Sequence, residues 1–361
     1  MDAKNKKYKI LLTGGGTAGS VSPLLAVAEE LKREENKFDF FWLGTKYGPE
    51  QIMVEEAGIK FKAISGGKWR RYFSWQNLID IFKIKLAFWQ ALVILLKSRP
   101  DLVISAGSFV SVPVVWAAWL LGVKVLVHQQ DTRPGLANRL MAPFTQVITV
   151  CFESSLKDYG KKAVWIGNPT RITNYELRIT NYKKYNLSEN LPVILVIGGG
   201  TGAQSINQLV WQSLSELTKF CQIIHLVGKD KRIKNQESRI KNYNVYEFLD
   251  VGQMAEAYRL ADIVVSRCGL GTLSELSYLG KPSIIIPIPD SHQEDNAAIF
   301  SQNQAAIVLQ QQDLSGNKFV REIKNLVSNK ALQEKLSKNI NQVMKRGANE
   351  AMVEIIWKIL K

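Results

Sequence analysis

The stretches ILLTGGGTAG (10–19) and ILVIGGGTGA (194–203) decide the fold. Each joins a short apolar run to a glycine turn and leads into a helical pattern, which is how a nucleotide-binding α/β unit begins. Their recurrence predicts two such units. Around them, Val- and Ile-rich runs alternate with helical patterns, the mark of a parallel sheet with crossover helices. Strands are expected at 8–12, 38–43, 101–105, 124–128, 146–150 and 163–166, then at 193–197, 222–227, 244–248, 262–266 and 283–287. The fold class is α/β, with two Rossmann-like domains built on parallel sheets. The boundary is expected just after IGNPTR (166–171), giving domains 1–168 and 169–340 and a last segment, 341–361, that packs back on the first domain as a helix.

Composition narrows the class. With 361 residues, 46% hydrophobic and 22% charged, the chain is a globular protein large enough for two cores. Cys151, Cys221 and Cys268 form no C-x-x-C pair, which excludes a disulfide scaffold and a cysteine-rich zinc site and suits a reducing cytoplasm. His128, His225 and His292 are dispersed and no D-x-D occurs, so neither a metal site nor a metal-clamped nucleotide sugar is expected. No secretory signal is expected, because the first apolar run is short and ends in glycines. The longest apolar runs, 86–96 and 112–123, are shorter than the roughly 20 residues that cross a bilayer.

The net charge of +15 is unevenly placed: residues 61–100 hold eight Lys/Arg against the single acid Asp80. Within KWRRYFSWQNLIDIFKIKLAFWQALVILLKS (68–98), Trp69, Arg70, Arg71, Phe73, Trp75, Phe82, Lys83, Lys85 and Trp89 mix aromatics with cations. Such a patch can enter the headgroup region while its cations meet anionic lipid; it also reads as a core helix with a solvated basic face. Nucleic acid would suit the charge, but no helix–turn–helix, zinc knuckle or aromatic RNA-binding signature accompanies it, and no nucleic-acid partner is expected. RITNYELRITNY (171–182) and RIKNQESRIKNY (232–243) repeat every seven residues. Two units are too few for a coiled coil, and both read as solvated surface insertions.

Gly14, Gly16 and Gly19 fall on G-x-G-x-x-G, but NAD needs an acid at the end of the second strand. FDFFWLG (38–44) ends in Leu43 and Gly44, with Asp39 at the wrong end, and no G-K-[ST] follows the glycines to make a P-loop. Two readings remain: a loop whose amides face a phosphate or pyrophosphate, or a tight turn without ligand. In the second half, SRCGLGTLSELSYLGKPSIIIPIPDSHQEDNA (266–297) runs strand, glycine turn, helix, strand and polar loop. A helix starting near Gly271 could hold a diphosphate on its amides. Glu275 would then sit in its first turns, able to accept both hydroxyls of a ribose or simply to balance the helix dipole.

GGGTAGSVSPLLAVAEEL, SAGSFVSVP (105–113), VLVHQQDTRPGLANRL (125–140), IGNP, VIGGGTGAQSIN, FLDVGQMAEAYRLADIVVSRCGLGTLSEL and HQEDNA, in that order, resemble the MurG-type glycosyltransferases of bacterial cell-wall synthesis. That family moves N-acetylglucosamine from UDP-GlcNAc to the undecaprenyl-linked lipid I, forming lipid II. The resemblance implies a GT-B architecture, two Rossmann-like domains facing a cleft, with the donor mostly on the C-terminal one and no cofactor. It implies that Glu275 binds the uridine ribose and that Leu270, Gly271, Thr272, Leu273 and Ser274 surround the diphosphate and sugar. Leu249 would meet uracil through its backbone, His292 and Gln293 the sugar hydroxyls, and Arg171 (or Arg178) and Gly200 the donor pocket. Thr17, Ala18 and Gly19 would sit in the loop facing the transferred sugar and the acceptor pyrophosphate, with Gly15, Gly16, Ser108 and Phe109 at that pyrophosphate. Placement would be peripheral, on the cytoplasmic face of the membrane, against anionic inner-leaflet lipid.

Three positions depart from the family's pattern. Ser20 stands where the family has a histidine favoured as general base, and Gln129 stands where it has glutamate. Asp131 occupies a place that is usually asparagine. Inversion at the sugar needs a base near neutral pKa, which a serine alone does not supply. Asp131, just past a strand end, is the expected base and His128 the second choice; a loop aspartate capping the next helix is the plain alternative. Transfer to another lipid acceptor such as diacylglycerol, or UDP-sugar binding without catalysis, are the alternative functions.

Overall fold

The computed structural model describes residues 7–33, 37–48, 50–67, 75–174, 182–200, 202–229, 231 and 240–361. Trp69, Arg70, Arg71, Phe73 and Arg178 lie outside the described residues, as do the middles of both seven-residue repeats; of Trp75 only the backbone is described. The chain divides into two compact units, Met1–Arg171 with Lys345–Lys361, and Ile172–Met344.

The first unit runs β1 (Tyr8–Thr13), α1 (Ser22–Arg33), β2 (Phe38–Thr45), α2 (Glu50–Glu56), β3 (Lys60–Ile64), α3 (Trp75–Ser98), β4 (Leu102–Ser105), α4 (Ser111–Leu120), β5 (Lys124–Gln129), α5 (Leu136–Met141), β6 (Val147–Val150) and β7 (Ala163–Trp165). Among the described residues its sheet is seven-stranded and parallel, in the order β3-β2-β1-β4-β5-β6-β7. The second unit runs β8 (Val193–Ile197), α6 (Gln204–Leu217), β9 (Gln222–Leu226), β10 (Tyr243–Tyr246), α7 (Val251–Leu260), β11 (Ile263–Ser266), α8 (Leu270–Leu279), β12 (Ser283–Ile285), α9 (His292–Gln302), β13 (Ile307–Val308), α10 (Gly316–Ser328) and α11 (Lys330–Val343). Its parallel sheet has the order β10-β9-β8-β11-β12-β13. Both orders reverse direction beside the first strand, and that reversal opens a crevice at the strand C-terminal ends where α/β ligands sit. Thr13 pairs with Ser105, and Ile197 with Ser266, so in each unit the two loops flanking the reversal emerge together.

Strands buried on both faces explain the continuous apolar runs. Ile10 and Leu12 pack on one side with Trp42, Ile104 and helix α1, while Leu11 packs on the other with Leu43, Val103 and the alanines of α3. The last helix, α12 (Ala348–Leu360), joins the first unit: Met352, Val353 and Ile356 share the Ile10 cluster, and Trp357 meets Tyr8 edge-on with centroids 5.6 Å apart. The chain leaves the first unit at Arg171 and returns to it at Lys345. Two strands had no counterpart in the sequence reading, β3 and β13. Each lies at a sheet edge. With Lys60 and Lys62 exposed on β3 and β13 two residues long, neither writes an apolar run.

Candidate active site

In the first unit, three strand-end loops gather. Gln130, just past β5, donates from its side-chain amide to the carbonyl of Gly19 at 2.9 Å and of Ala106 at 3.3 Å. It thereby ties the loop after β1 and the loop after β4 to its own. Ser108 adds a second tie, donating to the Gly15 carbonyl at 2.7 Å. Gly107 and Ser108 both hold positive φ, 94° and 89°, which turns the second loop toward the first.

The glycine loop itself is held from within. Ser20 is buried, and its hydroxyl accepts the Gly15 amide at 3.2 Å. The carboxylate of Glu50, at the start of α2, accepts the Gly16 amide at 3.1 Å and the Thr45 amide at 2.7 Å. Trp42 donates its indole N–H to the Gly14 carbonyl at 3.0 Å. An N–H has one proton to give, so the Gly15 and Gly16 amides, expected at the acceptor pyrophosphate, are already committed. The open part of the loop is its exposed tip, Thr17 and Gly19, with half-buried Ala18 between them. Phe109 stands against Gly16, where a Cβ would come within 3.1 Å of its ring and φ is +80°.

Two further expectations are corrected here. His128 is fully buried, with Nδ1 against the Thr149 hydroxyl and Nε2 against the Asn168 carbonyl oxygen, both at 2.9 Å. Burial brings its pKa down to about 4 against the pull of those hydrogen bonds. It is a structural imidazole and no base for a substrate. Ser20 likewise serves the loop, having no open face toward a reacting group.

Asp131 is half-buried, one residue beyond the Gln130 clasp. Its backbone is fixed by Gln129, which donates to the carbonyls of Asp131 at 2.5 Å and Arg133 at 3.1 Å and accepts from Tyr159 at 3.1 Å and from Asn138. All four hydrogen-bonding positions of the carboxamide are used. A carboxylate could not donate to those two carbonyls, which accounts for glutamine at this place.

In the second unit the loop after β8 bends through Gly199 and Gly202, φ +85° and +71°, leaving Gly200 exposed. Any Cβ on Gly202 would stand 2.0 Å from the Val227 carbonyl. Helix α8 starts at Leu270, with Gly269 as its N-cap and no side chain on its first amides. Leu270, Leu273 and Ser274 turn inward, Ser274 donating to the Leu270 carbonyl at 2.5 Å; Gly271, Thr272 and Glu275 are half-buried on the outer side. Leu249 is buried immediately before α7, whose first turn is closed by a capping box between Asp250 and Gln253. His292 is exposed at the start of α9, capped by Ser291. Gln293 gives its carbonyl oxygen to the amides of Cys268 and Ile288, both at 3.2 Å, so what it can offer a sugar is its NH2 group.

Sequence reasoning missed Arg267. It is buried at the end of β11, donating to Ile286 and Pro287 carbonyls at 3.0 Å and to Ser205 and Gln311 at 2.6 Å, which pins the loops after β8, β11 and β12. An arginine directly after a strand-end serine was the available signal. Arg171, expected at the donor pocket, instead pairs with Glu29 of α1 in the first unit, Nε to Oε1 at 2.7 Å.

On α3, Phe82, Leu86, Trp89, Val93 and Leu96 are exposed along one face, Phe82 by 71% and Trp89 by 61%, while Ala87, Ala91 and Leu95 on the opposite face are buried. Trp119 and Leu120 of α4 and Leu136 and Leu140 of α5 are exposed as well, and Lys83 and Lys85 flank Phe82 in solvent. Among the described residues no helix is long and apolar enough to cross a membrane.

Residues 10–150 match the glycosyltransferase family 28 N-terminal domain and residues 193–351 its C-terminal domain. The chain belongs to glycosyltransferase family 28. It is similar, at 38% identity over 355 residues (93% of this chain, 99% of the relative), to the UDP-N-acetylglucosamine–N-acetylmuramyl-(pentapeptide) pyrophosphoryl-undecaprenol N-acetylglucosamine transferase of Clostridium kluyveri. The protein of that name from Clostridium tetani is 34% identical over 361 residues, 98% of each chain. Among solved structures, Acinetobacter baumannii MurG superposes with a TM-score of 0.72 at 24% identity, over 97% of this chain and 99% of that one. A UDP-GlcNAc 2-epimerase from Neisseria meningitidis reaches 0.70 at 16% identity, over 97% and 100%. Those two likenesses speak for the fold. As a family 28 member the chain is a glycosyltransferase, and the two glycine loops that opened its reading are the mouths of its two halves.

Proposed function

We propose that this glycosyltransferase moves N-acetylglucosamine from UDP-GlcNAc to the 4-hydroxyl of the muramoyl residue of lipid I, releasing UDP and forming lipid II. The observation that carries it is full-length similarity to transferases named for that reaction, together with an acid, Glu275, on the outer side of an open helix N-terminus. In this reading Glu275 accepts the ribose hydroxyls, the amides at Gly271 and Thr272 meet the diphosphate, and the Gln293 NH2 group and His292 reach the sugar. Leu249 presents its backbone to uracil.

The acceptor hydroxyl attacks C1 from the face opposite UDP. The new C1–O bond forms as the bond to the UDP oxygen breaks, and the hydroxyl proton passes to a base. Asp131 is that base. Support comes from its position beside the clasped loops and from the engagement of His128 and Ser20 elsewhere. The charge growing on UDP is met by the α8 amides, fixed dipoles that need no reorganisation. On the acceptor side the exposed tip Thr17–Gly19 takes the pyrophosphate.

Lipid I stays in its bilayer, so the enzyme works at a membrane surface, on the cytoplasmic face. The stripe from Phe82 to Leu96, with Lys83 and Lys85 beside it, supports docking to anionic lipid, each cation near the surface contributing about 1 kcal/mol. The test is turnover of labelled UDP-GlcNAc with lipid I beside a diacylglycerol control. Product with lipid I alone supports the reading; product with diacylglycerol alone, or none with either, overturns it.

A further inference from the structure

We propose that Tyr258 is a positioning residue for nucleotide recognition, fixing the Glu275 carboxylate in the orientation that reads a ribose. The inference rests on the ribose reading of Glu275 given above. Tyr258 lies in the last turns of α7 with its ring fully buried, and its hydroxyl donates to Glu275 Oε2 at 2.7 Å. Burial, then the neighbouring carboxylate, raises its pKa well above the ordinary tyrosine value, so the hydroxyl keeps its proton at every pH where the enzyme works.

Geometry makes the contact directional. Glu275 has three rotatable side-chain bonds and lies partly open to solvent on the outer side of α8, where a fixed hydrogen-bond partner narrows the choice of rotamer. A phenol on a rigid ring, held by the core, grips one carboxylate oxygen, Oε2. A carboxylate has about four lone-pair sites, more than the tyrosine bond uses. The same helix that carries Tyr258 in its last turn begins at Val251, two residues after Leu249, with its first turn locked by the Asp250–Gln253 box. One rigid element, α7, therefore sets both the proposed uracil contact and the acid proposed for the sugar beside it. Pre-orientation of this kind strengthens binding by removing the entropy cost of ordering the side chain.

The test is calorimetric binding of UDP and 2′-deoxy-UDP to the full chain. Tyr258→Phe keeps the ring and removes one oxygen, and thermal melting checks that the fold is retained. The expected result is UDP binding weakened about three- to tenfold and the preference for UDP over 2′-deoxy-UDP narrowed by a similar factor. Glu275→Ala removes the preference altogether, and Tyr258→Phe adds no further loss in that background. If Tyr258→Phe keeps the wild-type preference while Glu275→Ala loses it, Tyr258 has no part in recognition and the ribose reading stands. An equal loss from Tyr258→Phe in both backgrounds also overturns the proposal, because the residue then acts through packing. If Glu275→Ala keeps the preference, the ribose reading falls, and the role of Tyr258 with it.

Discussion

The Glu50 carboxylate accepts the amide of Gly16, 34 positions earlier in the chain, from a site with no solvent exposure. The same group takes the Thr45 amide and hydroxyl, so a single buried acid joins the end of β2 to the first glycine loop. Glycine at 15 follows from this: a Cβ there would stand 2.1 Å from Glu50 Oε1. Removing the acid leaves buried N–H groups without an acceptor, each costing about 1–3 kcal/mol. Glu50→Ala is expected to lower unfolding stability by about 2–4 kcal/mol, with Glu50→Gln in between. Denaturant melts check it, and a loss under about 1 kcal/mol for the alanine variant would contradict the role assigned to the carboxylate.

Asp131→Ala should lower kcat by about 10²–10⁴-fold, the usual worth of a general base. UDP binding should stay within about twofold, since the proposed donor contacts lie on the second unit. Asp131→Asn, which keeps the shape, should be equally slow. Steady-state rates with lipid I, paired with UDP titration, decide the matter; an unchanged kcat removes Asp131 from the chemistry.

Both buried histidines give the protein a defined acid sensitivity. Burial lowers His128 from 6.5 to about 4 and His225 from 6.5 to about 3. Because the folded values lie below the unfolded one, the unfolded chain binds these protons first. Their stabilising contribution is complete above about pH 6.5 and is lost as pH falls toward the folded values, about 3 kcal/mol from His128 alone. Unfolding free energy measured from pH 7 to pH 4 should slope downward, and His128→Gln should flatten that slope. A profile of the same steepness in the variant would refute the assignment.

The exposed α3 stripe should govern membrane attachment. Phe82→Glu with Trp89→Glu places two charges where the apolar face would enter the headgroups. The double variant is expected to stay in the supernatant with anionic liposomes that sediment the wild type at low salt. UDP affinity should be retained. Equal sedimentation of both would show that the stripe is not the docking face.

Much of the fold was legible because it is written locally. A β-branched run followed by glycines at positions of positive φ, such as Gly16 and Gly199, specifies strand and turn through the backbone of neighbouring residues. The glycine turn before Gly271 likewise marks the start of α8, with Glu275 in its first turns. The edge strands β3 and β13 escaped because a strand largely exposed, or two residues long, leaves too short an apolar pattern.

The candidate site was less legible. His128 and Asp131 are three positions apart, and the sequence offers Asp131 as proton acceptor with His128 as second choice; His128 is enclosed against Thr149 and Asn168, while Asp131 reaches the surface. Ser20 looked like a lost base and is a loop fastener. Arg171 looked like a donor ligand and is paired with Glu29.

What the sequence determined by itself was the twin strand–glycine–helix units, since backbone preference and periodicity act over a few residues, and, through its ordered motifs, the resemblance to a family. What the tertiary structure alone decided was which polar groups remain available for chemistry. Gln130 meets Gly19 across 111 positions, and Tyr258 meets Glu275 from a different helix. Burial and hydrogen-bond partnering are set by residues that only folding brings together, and a buried polar group takes whichever partner the fold supplies.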